Sequence, residues 1–147
     1  DGADTTVMGD GWLILGYPDT SPRANLVGFN KDAKKKGLPI LSGAIKVKLS
    51  NDKSVIIWVH QGIYNAGSCN TLISEFQVRD HGLVLDSICA KYRPHVDGHK
   101  GTQSFWLSKD QCLWLQPKSG LMTFMFSKPL WDNLKKLEVI NIMTAFP

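Results

Sequence analysis

The sequence predicts a mostly β protein whose short strands are separated by polar turns. Residues 44–49 alternate apolar and basic side chains, which is typical of a strand with one face in water. Residues 54–60 form an almost continuous apolar run rich in β-branched side chains, and the turn-forming residues 50–53 lie between the two runs. Together these segments predict a β-hairpin.

A turn that carries two carboxylates opens the chain. Asp1 and Asp4 flank the small residues Gly2 and Ala3, and β-branched and apolar residues follow directly. Glycine and alanine permit a close backbone approach, and aspartate side chains form local hydrogen bonds in turns. The pattern predicts a tight, carboxylate-bearing loop that leads into a strand.

Four further segments precede the hairpin. Residues 11–16 are an apolar run between glycines and predict a strand, and residues 24–29 predict another. Residues 17–22 contain two prolines and predict a turn. The polar, basic segment 30–37 predicts an exposed loop or one weak helical turn.

The segments that follow the hairpin are more mixed. Residues 62–67 predict a loop or a short strand, and residues 69–74 predict a buried strand. Residues 75–82 predict two helical turns that end at a glycine C-cap. Residues 83–90 predict another strand, and the Gly- and Pro-containing segment 92–101 predicts a boundary or a mobile loop.

The last third of the chain is again rich in strand signals. Residues 103–107, 112–115 and 121–126 predict three strands separated by turns. Residues 129–137 predict a short helix with Pro129 in its first turn and three leucines on one face, and residues 139–143 predict a final strand that closes the sheet.

The composition is that of one globular domain. The 147 residues, 43% hydrophobic and 20% charged, can bury a sizeable core, which excludes an intrinsically disordered chain. We expect no membrane partner, because no stretch approaches the ~20 apolar residues of a spanning helix. Three cysteines without paired spacing favour a reducing, intracellular compartment. We also expect the chain to have been cut from a longer one.

The opening loop carries a family resemblance. Residues 2–7, Gly-Ala-Asp-Thr-Thr-Val, resemble the active-site loop of the retropepsins, the aspartic proteases of retroviruses and retrotransposons. The pattern of that family is Asp, Ser or Thr, Gly, Ala, Asp, and then Thr or Ser. Without a gap, Asp1 occupies the Ser or Thr position and the catalytic Asp precedes residue 1. With a gap, Asp1 is the catalytic carboxylate. Asp4 matches the second, non-catalytic Asp in both comparisons.

The resemblance continues along the chain in the order typical of the family. Residues 42–47, which include Gly43 and Ala44, resemble the descending arm of the retropepsin flap, a glycine-tipped hairpin that closes over the bound peptide. Residues 70–82 resemble the strand and helix that end the retropepsin core, with Ser74 where the family usually has Gly. Further segments resemble the protease region of copia-type retrotransposon polyproteins: 23–29, 38–40, 63–65, 72–77, 86–89 and 101–103.

The resemblance implies a fold and a reaction. Residues 1–90 would form a retropepsin-like acid-protease β-barrel with one short helix in its core. Residues 91–147 would be a β-rich extension that packs on this core and ends in a short helix. One catalytic Asp per chain implies a homodimer, in which two carboxylates share a proton and activate water against a polyprotein peptide. No metal or cofactor is implied, and the compartment would be the cytoplasm or a virus-like particle.

The implied site residues follow from the same resemblance. Asp1 would be catalytic, and the substrate-binding residues would be Gly2, Ala3, Asp4, Gly43 and Ala44. The substrate would be an extended peptide held under the flap by strand-like hydrogen bonds.

Other interpretations of the chain are less specific. Cys89, His95, His99 and Cys112 could complete a zinc site, but their spacing matches no compact finger, so loop histidines and single buried cysteines are favoured. The basic residues 31–36, with Trp106 and Trp114, could bind nucleic acid, although a solvated loop and core aromatics are the simpler interpretation. The alternative function is therefore a non-catalytic β-rich module that binds protein or nucleic acid.

Overall fold

The computed structural model describes residues 5–17, 21–27, 34–68, 71–86, 103–118 and 121–142, which form the predicted mostly β fold with two short helices. The elements are β1 (Val7–Met8), β2 (Leu13–Leu15), β3 (Arg23–Val27), β4 (Lys34–Lys48), β5 (Ser54–Tyr64), α1 (Glu75–Asp80), β6 (Val84–Asp86), β7 (Ser104–Ser108), β8 (Gln111–Trp114), β9 (Gln116–Lys118), β10 (Leu121–Thr123), α2 (Trp131–Lys136) and β11 (Val139–Ile142).

The predicted hairpin is confirmed as the antiparallel pair β4 and β5. Its register runs from Lys48 opposite Ser54 up to Ile40 opposite Ile63, with an irregularity between Leu41 and Gly43. The turn closes where the Leu49 N–H donates to the Lys53 carbonyl at 2.7 Å. Because alternate residues of a strand share one face, the β-branched side chains at the centre of both strands point to a common core.

Strand β5 is the centre of the larger sheet. One edge pairs with β4, which in turn pairs with β2. Its other edge holds two parallel strands end to end: β11 lies beside Ile56–Val59, and β1 lies beside Ile63 and Tyr64. The predicted strand at 139–143 is thus confirmed for residues 139–142. No sheet closes on itself among the residues described above.

The first part of β4 differs from the sequence-based expectation. Residues 34–37 were expected in a loop or a helical turn, but they belong to β4 and lie beside β3. That expectation is wrong for these residues because cross-strand pairing with β3 outweighs the weak strand preference of lysine. The adjoining residues 28–33 lie outside the described part of the chain.

Two smaller sheets complete the fold. Strands β6, β7 and β8 form an antiparallel sheet, and β9 pairs with β10. The inner face of the three-stranded sheet contributes Phe105, Leu107 and Leu113 to the same buried cluster as Ile45 and Ile57 of the hairpin. Residues from both sides of the expected boundary at residue 90 therefore share one core, and the division into 1–90 and 91–147 stays a prediction.

Both predicted helices are present, with different ends. Helix α1 begins after Ser74 and is followed by Gly82 at φ 97°, as its sequence predicted. Helix α2 begins after Leu130, so Pro129 precedes the helix instead of occupying its first turn. Leu130 is 72% exposed, and the expected common face of leucines is therefore not buried. Within the described residues, no helix has the length and apolar character needed to cross a membrane.

Two other sequence-based expectations are wrong, and a third concerns residues outside the described part of the chain. Within the expected buried strand at 69–74, Leu72 makes a single antiparallel bridge to Val7 and is 42% exposed, so a buried strand is wrong for the described residues 71–74. Residues 117 and 118, expected in a turn, belong to β9. The expected boundary or mobile loop at 92–101 lies outside the described residues.

Candidate active site

The carboxylate loop lies directly before the first described residue. Asp1, Gly2, Ala3 and Asp4 are outside the described part of the chain, which begins at Thr5. From Thr5 to Met8 every residue is buried. The chain is thus buried directly after the Gly-Ala-Asp sequence of residues 2–4.

Backbone hydrogen bonds hold this segment on both sides. On one side, the Ile63 N–H donates to the Thr6 carbonyl and the Asn65 N–H donates to the Met8 carbonyl, both at 2.9 Å. On the other side, Val7 and Leu72 exchange two hydrogen bonds of 2.8 and 3.1 Å. Residues 6–8 are thus the middle strand of a three-segment arrangement, which leaves them little freedom to move.

A buried glutamine from α1 completes the anchor. The Thr6 N–H donates to Gln77 Oε1 at 2.8 Å, and Gln77 Nε2 donates to the Gln61 carbonyl at 3.1 Å. The Ser74 N–H donates to Thr6 Oγ1 at 3.0 Å. Because Gln77 is only 1% exposed, these bonds are shielded from competing water. The start of α1 is therefore fastened to the residues that follow the carboxylate loop.

The role of Gln77 could have been suspected from the sequence but was not predicted. Residues 74–77 read Ser-Glu-Phe-Gln, the spacing of a capping box at a helix N-terminus. Half of that box is present, because the Gln77 N–H donates to Ser74 Oγ at 3.2 Å. The Gln77 side chain bonds to the Thr6 N–H instead of turning back to the N-cap, and nothing in the local sequence specifies that long-range partner.

A second chain of hydrogen bonds ends at Val7 in the same segment. Trp12 Nε1 donates to Thr71 Oγ1, and this hydroxyl donates to the Val7 carbonyl at 2.8 Å. Trp12 is almost completely buried. Asp10 Oδ1 accepts the Gly67 N–H at 2.9 Å and thereby ties the two connecting loops together.

Gly43 and Ala44 do not lie at a hairpin tip. Both are buried near the middle of β4, and the turn of the hairpin is at residues 49–53. A Cβ at position 43 would overlap Met8 Sδ and lie 3.1 Å from Trp12 Cε3. Glycine at position 43 therefore allows β4 to pack closely over Met8 and Trp12. Direct contact of Gly43 and Ala44 with a bound peptide stays a prediction.

Of the four residues considered for a metal site, Cys112 lies in the described part of the chain. Cys112 is buried with its Sγ 3.3 Å from Ser50 Oγ, whereas Cys89, His95 and His99 lie outside the described residues. In the described part of the chain, no group of three or more His, Cys, Asp or Glu side chains could hold a metal ion. His60 Nε2 lies 2.8 Å from Asn141 Oδ1 and links β5 to β11.

The two tryptophans considered for base stacking do share a face. Trp106 pairs with Cys112, and Trp114 pairs with Ser104 on the adjacent strand, so both indole rings project from the same side of the sheet. Trp114 is 58% exposed, while Trp106 is partly buried and its Nε1 donates to Ser104 Oγ at 3.0 Å. This surface lies opposite the one that contributes Phe105 and Leu113 to the core.

Comparisons of the whole chain with protein-family models, with curated proteins and with solved structures find no match.

Proposed function

We propose that the chain is a retropepsin-like aspartic endopeptidase domain of a copia-type retrotransposon polyprotein. The observation that carries the proposal is the anchored segment Thr6–Met8, which follows the Gly-Ala-Asp sequence of residues 2–4 and is hydrogen-bonded on both sides. The proposed overall fold is the acid-protease barrel, in which Gln77 of α1 accepts a hydrogen bond from the Thr6 N–H.

The anchored strand meets a requirement of the reaction. Peptide hydrolysis by carboxylates needs the acid, the water and the scissile carbonyl held within a few tenths of an ångström of the productive geometry. A loop that leads into a buried strand with backbone partners at Ile63 and Leu72 has a rigid base. The bond from the Thr6 N–H to Gln77 adds a side-chain restraint close to Asp4.

The proposed mechanism divides the chemistry between two chains. Each chain supplies one carboxylate, either Asp1 or the residue immediately before it, and the pair faces across a two-fold axis. Two carboxylates this close share one proton: the ionised group activates water, and the protonated group polarises the peptide carbonyl. Gly2 and Ala3 provide close backbone approach, and Asp4 orients the extended peptide.

Peptidase assays test this proposal directly. A chain that includes the residues upstream of Asp1 should cleave polyprotein peptides at acidic pH and should be blocked by a statine-type inhibitor. Asparagine at the catalytic aspartate, whether Asp1 or the residue before it, should abolish cleavage. Asp110→Asn, in an exposed turn, is the matched control and should leave cleavage unchanged. Absence of cleavage at every pH where the protein is folded would refute the assignment.

A mixing experiment tests the shared site. Excess of the inactive asparagine variant should lower the activity of the unmodified chain, because mixed dimers contain one neutral amide in place of a carboxyl group. Activity per chain should also fall on dilution. Activity that stays proportional to the unmodified chain under both conditions would contradict a site built from two subunits.

A further inference from the structure

The pair β3 and the first part of β4 forms a two-stranded arm, defined here as residues 21–27 and 34–39. Its register places Arg23 opposite Pro39 and Val27 opposite Lys34. Pairing of β4 with β5 begins only at Ile40, so within the described residues the arm is held by its own two strands. It therefore extends from the larger sheet at the end of the β4–β5 pairing.

The arm contains the whole formal charge excess of the protein. Four of the seventeen Lys and Arg residues lie in it, and none of the thirteen Asp and Glu residues does. The rest of the chain has thirteen residues of each sign. The formal charge of +4 is therefore equal to that of the arm, and the remainder is balanced. The four basic residues are Arg23, Lys34, Lys35 and Lys36.

Hydrogen bonds fix the shape of the arm near these charges. Arg23 Nη1 donates to the Gly37 carbonyl at 2.9 Å, and the Gly37 N–H donates to Asn25 Oδ1 at 3.1 Å. Gly37 has φ 66°, a left-handed conformation that suits glycine, and the pairing shifts register between Ala24 and Leu26. The exposed Lys36 thus projects from a backbone whose course is set by specific bonds.

We infer that the arm binds the phosphate backbone of nucleic acid without reading its sequence. Three of its four basic residues are lysines, whose compact ammonium groups contact phosphates as point charges, whereas base reading relies mostly on bidentate Arg, Asn or Gln contacts. Because the rest of the protein has no net formal charge, the positive electrostatic potential of the arm orients it toward a polyanion. The arm contains none of the residues proposed for the peptidase site.

The inference is tested by fluorescence anisotropy with a labelled oligouridylate at several salt concentrations. Affinity should fall with salt, because each phosphate contact releases counterions, with a slope of about 0.7 per contact on single strands. The variant K34Q/K35Q/K36Q should lower the magnitude of that slope by about 2. The matched variant K109Q/K118Q/K128Q removes three exposed lysines outside the arm and should leave the slope unchanged.

Several outcomes would overturn the inference. These are no binding at low salt, equal loss of slope in the two triple variants, and retention on phosphatidylserine vesicles without binding of RNA. Circular dichroism melting curves of both variants establish that the proteins compared are folded. An Asp1→Asn chain should bind with the unchanged slope, which separates this result from the fate of the peptidase proposal. A labelled duplex, measured in parallel, shows whether the arm prefers single or paired strands.

Discussion

Thr5 and Thr6 are adjacent buried residues whose hydroxyl groups have different environments. Thr6 Oγ1 accepts the Ser74 N–H, whereas Thr5 Oγ1 has no hydrogen-bond partner in the described structure. A buried hydroxyl with a partner contributes to stability, while one without a partner has lost its hydration and gained nothing in return.

The same substitution should therefore have opposite effects at these two positions. Thr6→Val should lower the free energy of unfolding by about 1–3 kcal/mol, because it removes a buried acceptor. Thr5→Val keeps the shape of the side chain and should be neutral or stabilising by up to about 1 kcal/mol. Urea unfolding of both variants measures the difference. Equal destabilisation would show that both hydroxyl groups are hydrogen-bonded.

The buried side chain of Gln77 leads to a prediction about the pH dependence of stability. In Gln77→Glu, the protonated side chain can still accept the Thr6 N–H and donate to the Gln61 carbonyl, but the ionised side chain cannot donate. Burial raises the pKa of the introduced carboxyl group in the folded state above the unfolded value of about 4.3. The folded state then binds more protons, and stability should fall as pH rises above about 4.3, by up to about 1.4 kcal/mol per pH unit.

Thermal melting over a pH series checks this expectation. The exposed Gln116→Glu is the control and should show no comparable slope. A flat pH dependence for Gln77→Glu would mean that the side chain at position 77 leaves the interior when it is charged.

At the level of elements, the helix N-termini differ in their capping. Ser74 caps α1 by accepting the Gln77 N–H, whereas the N-cap of α2 is Leu130, whose side chain cannot accept a hydrogen bond. Asn133 Oδ1 accepts the Leu130 N–H, so that helix has one half of a capping box.

Substitutions at the two caps should change stability in opposite directions. Ser74→Ala should cost about 1 kcal/mol, because a buried cap is lost. Leu130→Ser should add about 0.5–1 kcal/mol, because it supplies an acceptor for the first turn and removes an exposed leucine. Urea denaturation curves with the same slope in all proteins would check both values. Loss of stability in Leu130→Ser would show that the exposed leucine makes a contact that matters more than the cap.

The elements that the sequence predicted are those whose signals are local. The β4–β5 hairpin follows from the alternation at 44–49 and the apolar run at 54–60, and α1 follows from Ser74 and Gly82. The extension of β4 through residues 34–37 was missed because lysines carry no strand signal and the pairing partner is a separate strand. The short strand β9 was also missed, because Pro117 is a residue typical of turns.

At the scale of the whole molecule, the pairing of distant segments could not be predicted from local patterns. The parallel pairs of β1 and β11 with β5 join the first, middle and last parts of the chain. No periodicity or turn residue specifies such contacts. The candidate site shows the same limit: the sequence predicted the loop and the helix after it, but not the bond between Thr6 and Gln77.

A truncation tests whether the C-terminal strand is part of the main fold. A chain that ends at Lys136 lacks β11, so Ile56–Val59 lose one row of partners and Ile142 no longer fills the core. We expect this chain to lose cooperative thermal unfolding and to be digested rapidly by proteases. A chain that ends at Ile142 keeps these pairs and serves as the control. Native-like melting of the shorter chain would instead show that the main fold is stable without β11.

The position of β11 on β5 also affects how the protein is made. Because the ribosome makes residues 139–142 long after it has made β5, part of one edge of β5 stays open until the later segment has emerged. Pairing over so long a stretch of chain is slow. The nascent protein therefore passes through a stage at which a second copy could occupy the open edge, so slow translation and low expression temperature should favour correctly folded protein.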